Sequence, residues 1–207
     1  MRLLCLKLFL FALLCIGFIL MANQKPFVGE PALFAYKGAF PDAELTPAME
    51  HMIVLEGFSP EKYKDTKDIS TIGVGLTGKY FPQEGETLHD AFMRAYADKE
   101  AKARDLIKNY DQFSPELQTQ IMSGIYRGDL SGSPKTLDYI NQNNWDMAAE
   151  EFLNHDEYRN PDTPKGIKKR MEEIAKAFKN NSLVSLPSKP VSSQSAELFV
   201  SGAMAPR

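Results

Sequence analysis

The chain has 207 residues, 43% of them apolar, which supports a buried core and excludes disorder over most of its length. Its formal charge is −3, with 24 basic against 27 acidic residues, so electrostatics give no reason to bind nucleic acid. Both cysteines, Cys5 and Cys15, stand near the N-terminus, and the remainder can hold neither a disulfide nor a thiolate metal site.

The first element is the run MRLLCLKLFLFALLCIGFILMA at residues 1–22. Arg2 and Lys7 are its only charges, and residues 8–22 are an unbroken apolar stretch. Counted back to Leu3 the span reaches about twenty residues, the length a bilayer requires. The basic residues lie on its N-terminal side, which directs the rest of the chain across the membrane. Leu20 stands where a cleavage site prefers a small residue, so a signal anchor is favoured over a cleaved signal peptide. The expectation is an exported protein, tethered to the inner membrane through residues 3–22, periplasmic, or both.

Residues 23–45 contain three prolines and two glycines without a sustained period and read as a linker, with at most a helical turn near Phe34. The Ser- and Pro-rich residues 180–207 read as a disordered tail. A folded domain is therefore expected over 46–179, with no internal repeat. Within it, Thr46-Pro47, Ser114-Pro115, Ser133-Pro134 and Thr163-Pro164 mark helix starts, because the hydroxyl can cap free N–H groups and proline suits the first helical turn. Helical periodicity follows each pair, as in Met49, Met52 and Ile53, or Ile167, Met171 and Ile174. Two more helices fit 87–108, possibly interrupted once, and 145–153. Only residues 62–75 look extended. The reading is an α+β domain, mostly helical, with one small β-hairpin.

On the helix that opens at Pro47, positions 49, 52, 53 and 56 share one face. Three are apolar and the fourth is Glu56, followed at once by Gly57 as a C-cap. A carboxylate on a buried face needs a partner or a task. The end of a helix dipole, among apolar side chains, is also the setting in which a general acid keeps its proton. Asp65 follows nine residues later at a turn. Taken alone, it is as well explained as a turn former, a role Asp68 fits equally, and Thr71 as a β-branched strand residue.

Together the string EGFSPEKYKDTKDISTIGVGLTG is more specific. It resembles the active-site segment of the phage-type lysozymes, the endolysins of tailed phages and their prophage relatives, which cleave peptidoglycan. The Glu56–Asp65 and Asp65–Thr71 spacings match that pattern, as do Gly57, Tyr63, Lys64, Thr66, Ile72 and Gly73. A looser likeness continues through LDYINQNNWDMAAEEFLNHDEYRN and GIKKRMEEIAKAF, so coverage runs over about 45–179. The family has a structural His where this chain has Leu76, which puts an ion pair in doubt. Its members are also often basic, unlike this acidic chain.

The resemblance implies a lysozyme-like fold and a muramidase acting on peptidoglycan glycan strands. Glu56 would be the acid, Asp65 with Thr71 would hold the attacking water, and the configuration would invert. Arg127 or Arg170 would pair with Glu56, and Tyr126, Arg127 and Thr136 would contribute to the substrate cleft. The chain is expected to act as a monomer without cofactor or metal. Two other readings stay open, a lytic transglycosylase on the same fold and a non-catalytic wall-binding protein in a lysozyme shell. Gly73, Gly75 and Gly78 also spell G-x-G-x-x-G, but Pro82 and Gly85 deny the helix a dinucleotide site requires. Gly73 and Gly75 are read instead as places where other groups approach the backbone closely. The three histidines have no ligand spacing, and His51 is expected at the surface.

Overall fold

The computed structural model describes residues 26–185 apart from residue 66. The expected anchor at 1–22 and the tail beyond residue 185 lie outside the described residues, whereas residues 180–185 continue the last helix. Among the described residues no helix is long and apolar enough to cross a membrane.

The fold is mostly helical with one antiparallel hairpin, as the periodicity indicated. In chain order the elements are α1 (Glu30–Ala39), α2 (Pro47–Glu56), β1 (Ser59–Lys64), β2 (Ser70–Gly73), α3 (Leu88–Leu106) and α4 (Pro115–Arg127). They continue with α5 (Pro134–Asn141), α6 (Trp145–Leu153), the single turn α7 (Asp156–Arg159) and α8 (Lys165–Ser185). In the hairpin Tyr63 stands opposite Thr71 and Lys64 opposite Ser70, with an irregularity between Ser59 and Tyr63.

The hydroxyl–proline pairs divide into two kinds. Thr46 Oγ1 accepts from Met49 N and Ser114 Oγ from Leu117 N, each at 3.3 Å, so these two cap their helices. Ser133 and Thr163 instead donate to the carbonyls of Asp129 and Glu157, tying a helix start to the turn before it. The helix α3 is unbroken. It opens on a reciprocal pair in which Thr87 Oγ1 accepts from Asp90 N and Asp90 accepts from Thr87 N.

Residues 30–45 do not form a linker. Ala32 and Tyr36, one turn apart on α1, are buried in the core, and the Tyr36 hydroxyl lies 2.7 Å from His89 Nδ1 on α3. Just ahead of α1, Phe27 pairs with Phe58 through two backbone bonds of 2.9 Å, clasping the chain where α2 ends. That clasp requires glycine at position 57. Its φ is +81°, and a Cβ there would stand 2.5 Å from Phe27 O.

Two apolar clusters hold the structure. The larger draws on α1 to α6 and α8, with Ile53, Phe92, Ile125, Phe152 and Phe178 all buried. The smaller joins the hairpin to α3 through Leu76, Ala91 and Ala95, with Ile72 and Tyr80 packed on them. Thus α3 is shared, one side facing the hairpin and another the helical core. The candidate site lies along the seam between them.

Candidate active site

Glu56 closes α2 on the helical side of the seam. The Arg170 guanidinium of α8 donates through Nη1 to Glu56 Oε1 at 2.7 Å. Its Nε donates to Ser123 Oγ and its Nη2 to Ser123 O, both at 2.8 Å. The side chains of Arg170 and Glu56 are 9% and 19% exposed, so this pair is shielded and geometrically constrained. Of the two arginines the sequence left open as partner, Arg170 is the one that pairs.

The second oxygen of Glu56 faces the glycine turn after β2. A Cβ on Gly75 would stand 3.4 Å from Glu56 Oε2, at a residue whose φ is +66°. A Cβ on Gly73 would press on Leu76 at 3.2 Å. The close approaches expected of these glycines therefore have named occupants, a carboxylate oxygen and a leucine. Leu76 itself is buried in the small cluster with Ala91 and Ala95, so apolar packing fills the place of the expected ion pair.

Asp65 sits on the hairpin side, and its turn-forming role is real. Its Oδ1 accepts from Lys67 N and Ile69 N, both at 2.8 Å, and its own N–H donates to Ile69 O at 3.0 Å. Asp68 takes the left-handed backbone position of the same turn, at φ +59°. Thr71 is 3% exposed, and its hydroxyl donates to Ile69 O at 3.1 Å. The Ile69 peptide therefore links Asp65 to Thr71. On β1, burial and then the charges of Asp65 and Glu56 push the Tyr63 pKa up, so the fields of both acids reach one phenol.

The remaining expected residues separate. The Tyr126 hydroxyl donates to Val74 O at 3.0 Å, bracing α4 against the glycine turn. Burial, followed by the charge of Glu56, pushes the Tyr126 pKa up strongly. Arg127 is turned elsewhere. Its Nε donates to Asp129 Oδ2 at 2.7 Å and its Nη2 to Glu157 Oε2, a pairing that holds the Glu157 carboxyl below the usual range. The charge of Lys67 on the hairpin turn adds to that lowering. Thr136 is 0% exposed and its hydroxyl has no hydrogen-bond partner among the described residues, so it lies beneath the surface rather than along an open cleft.

His51 is not a surface residue. It is half-buried beside Arg170 and Glu173, and burial followed by the Arg170 charge lowers its pKa. Ser123, which holds the Arg170 guanidinium, escaped the sequence reading, because two places from both Ile121 and Ile125 it lies off their helix face and carried no periodicity signal. Lys99 escaped too, although it follows Phe92 and Tyr96 along one face of α3.

No protein-family model matches the chain, and no curated protein matches it. Among solved structures it is similar to the crystal structure of the active form of P1 phage endolysin Lyz. That likeness has a TM-score of 0.51 at 12% identity, over 79% of this chain and 100% of that one. The fold is lysozyme-like.

Proposed function

We propose that the chain is a peptidoglycan muramidase, with Glu56 as general acid and Asp65 as the base that orients water. The observation that carries this is the Glu56 carboxyl, fixed through Oε1 by a shielded arginine and presenting Oε2 toward the hairpin that bears Asp65. An oxygen accepting a guanidinium N–H is not the one that carries a proton, so the acid proton belongs on Oε2. From there it passes to the glycosidic oxygen as the bond to the leaving sugar breaks. Water held by the free side of Asp65 attacks the anomeric carbon from the opposite face and gives its proton to that carboxylate. Such a division of labour inverts the configuration and calls for carboxyl groups about 6.5–9.5 Å apart. Thr71 contributes by fixing the Ile69 peptide on which the Asp65 carboxylate rests. Support comes also from the matched Glu–Asp–Thr spacing, from the lysozyme-like fold and from the endolysin named above. The apolar run at 8–22 adds export, with the domain held at or released from the outer face of the inner membrane.

One observation favours a second reading. Asp65 Oδ1 is wholly engaged by its own turn, and a lytic transglycosylase needs the acid but no water-holding aspartate. Both readings are tested by mass analysis of muropeptides released from purified sacculi. Hydrated muramic reducing ends are expected, and their loss in a Glu56→Gln chain that still folds. Anhydro products would establish the transglycosylase. No release by the wild-type chain would leave a non-catalytic wall-binding protein.

A further inference from the structure

The helix α3 carries an ammonium group in an unusual place. Lys99 is half-buried, with Nζ 5.7 Å from the Tyr80 ring centroid and 5.9 Å from that of Tyr126. It forms no ion pair among the described residues. Its neighbour Asp98 is already occupied, pairing with Lys79 at 3.0 Å. The Tyr126 ring over which Lys99 lies is the one bonded to Val74 O, and Gly75 next in chain is the residue packed on Glu56. A chain of direct contacts therefore joins Lys99 to the acid, through Tyr126 and the glycine turn. Lys79 also lies over the Tyr80 ring, 4.7 Å from its centroid. Burial, then the charge of Lys102, disfavours the Lys99 ammonium, and the charges of Glu56 and Asp98 offset only part of that. Three lysines gather here on a chain whose overall charge is −3.

A cation without a counter-ion, partly withdrawn from water and crowded by like charge, is costly to maintain. Two aromatic faces offset part of that cost, and both lie at the centroid distance where cation–π attraction operates. They do not supply what an ammonium binds best, a carboxylate oxygen. We propose that Lys99 receives a carboxylate borne by the muramic acid units of the substrate. This rests on the muramidase reading. Muramic acid differs from its neighbour sugar by a lactyl ether, which is a free carboxylate on bare glycan and an amide when a stem peptide is attached. On peptide-bearing strands the carboxylates are those of the peptide. Tyr80 and Tyr126 would hold the ammonium over their faces.

The test compares three substrates with the full-length chain and its Lys99→Met and Lys99→Arg variants. They are sacculi with stem peptides, strands stripped by an amidase so that the lactyl carboxylates are free, and stripped strands whose carboxylates have been reduced to alcohols. The reading is the ratio of kcat/KM on each anionic substrate to that on the neutral one. In the wild-type chain this ratio is expected to favour the anion roughly tenfold, through KM, and Lys99→Met to remove most of it. Lys99→Arg is expected to restore it. A ratio lost on sacculi alone assigns the carboxylate to the peptide, and on stripped strands alone to the lactyl group. A ratio left unchanged by Lys99→Met overturns the proposal. Titrating stripped fragments into the Glu56→Gln chain, with and without Lys99→Met, reads binding independently of cleavage. If fragments bind more weakly without Lys99 although no form of the chain cuts glycan, the muramidase reading fails and the anion site stands.

Discussion

The two carboxylates of the site are held in opposite ways. Glu56 is fixed from outside its own segment, by an arginine from α8 that is itself bracketed on a serine of α4. Asp65 is fixed from within, by two amides no more than four residues along its own turn. The surroundings differ to match. Glu56 belongs to a lobe whose apolar cluster draws on seven of the described helices, whereas the hairpin rests on the smaller cluster of three buried residues with Ile72 and Tyr80 against them. A charge lodged against a large core depends on that core and supports it in return. A charge on a short hairpin can be changed with little effect on folding.

Removing the arginine should break the tight side most severely. Arg170→Ala leaves Glu56 without its partner and removes both guanidinium bonds to Ser123, and a shielded pair broken on one side costs about 3–5 kcal/mol. Urea unfolding should show that loss, with sacculus hydrolysis abolished in whatever fraction stays folded. A loss below about 1 kcal/mol would place the pair effectively in water. Next in size is Gly75→Ala, where the left-handed backbone alone costs about 1–2 kcal/mol. The new methyl would also stand in van der Waals contact with Glu56 Oε2, where the proposed acid proton sits, so kcat should fall as well, as steady-state kinetics on the variant would reveal.

A smaller effect is expected from acid at His51. Its lowered pKa means the unfolded chain takes up the proton first as pH falls. Stability contributed by the neutral ring is therefore present above the ordinary imidazole range, near about 6.5, and declines below it until the folded form also protonates. Arg170 opposes the imidazolium and Glu173 favours it. Urea midpoints at pH 7.5 and 5.5 should differ more for wild type than for His51→Gln, modestly so because the ring is only half-buried. Smallest of all for folding is Asp65→Asn. The amide oxygen can accept the same two N–H bonds, so stability should change by no more than about 0.5 kcal/mol, while hydrolysis is lost because an amide cannot take the proton. Survival of activity would reduce Asp65 to a turn former, and anhydro products would then establish the transglycosylase.

This contrast also explains what could be read from the sequence. The hairpin side is local. Glu56, Gly57, Asp65 and Thr71 fall within sixteen residues, and short-range geometry fixes their relation, so spacing carried the information. Helix starts at Thr46 and Ser114 were legible for the same reason. The tight side is not local. Nothing near Arg127 or Arg170 distinguishes them, and the choice is made by how α4 and α8 pack on α2. Lys99 became meaningful only once two tyrosines from distant segments were set around it. The helix α1 escaped because only Ala32 and Tyr36 are fully buried on it, with Leu33 and Ala35 partly so, while Phe34, its most hydrophobic side chain, points to water.

The Glu56–Arg170 bond spans 114 positions of the chain. On a ribosome that separation is also an interval of time. At about 5–20 residues per second, about 6–23 s pass between the synthesis of Glu56 and that of Arg170. A chain interrupted before residue 170 would carry the Glu56 carboxyl without the guanidinium that holds it, so under the proposed muramidase chemistry premature termination would release fragments that do not cut glycan.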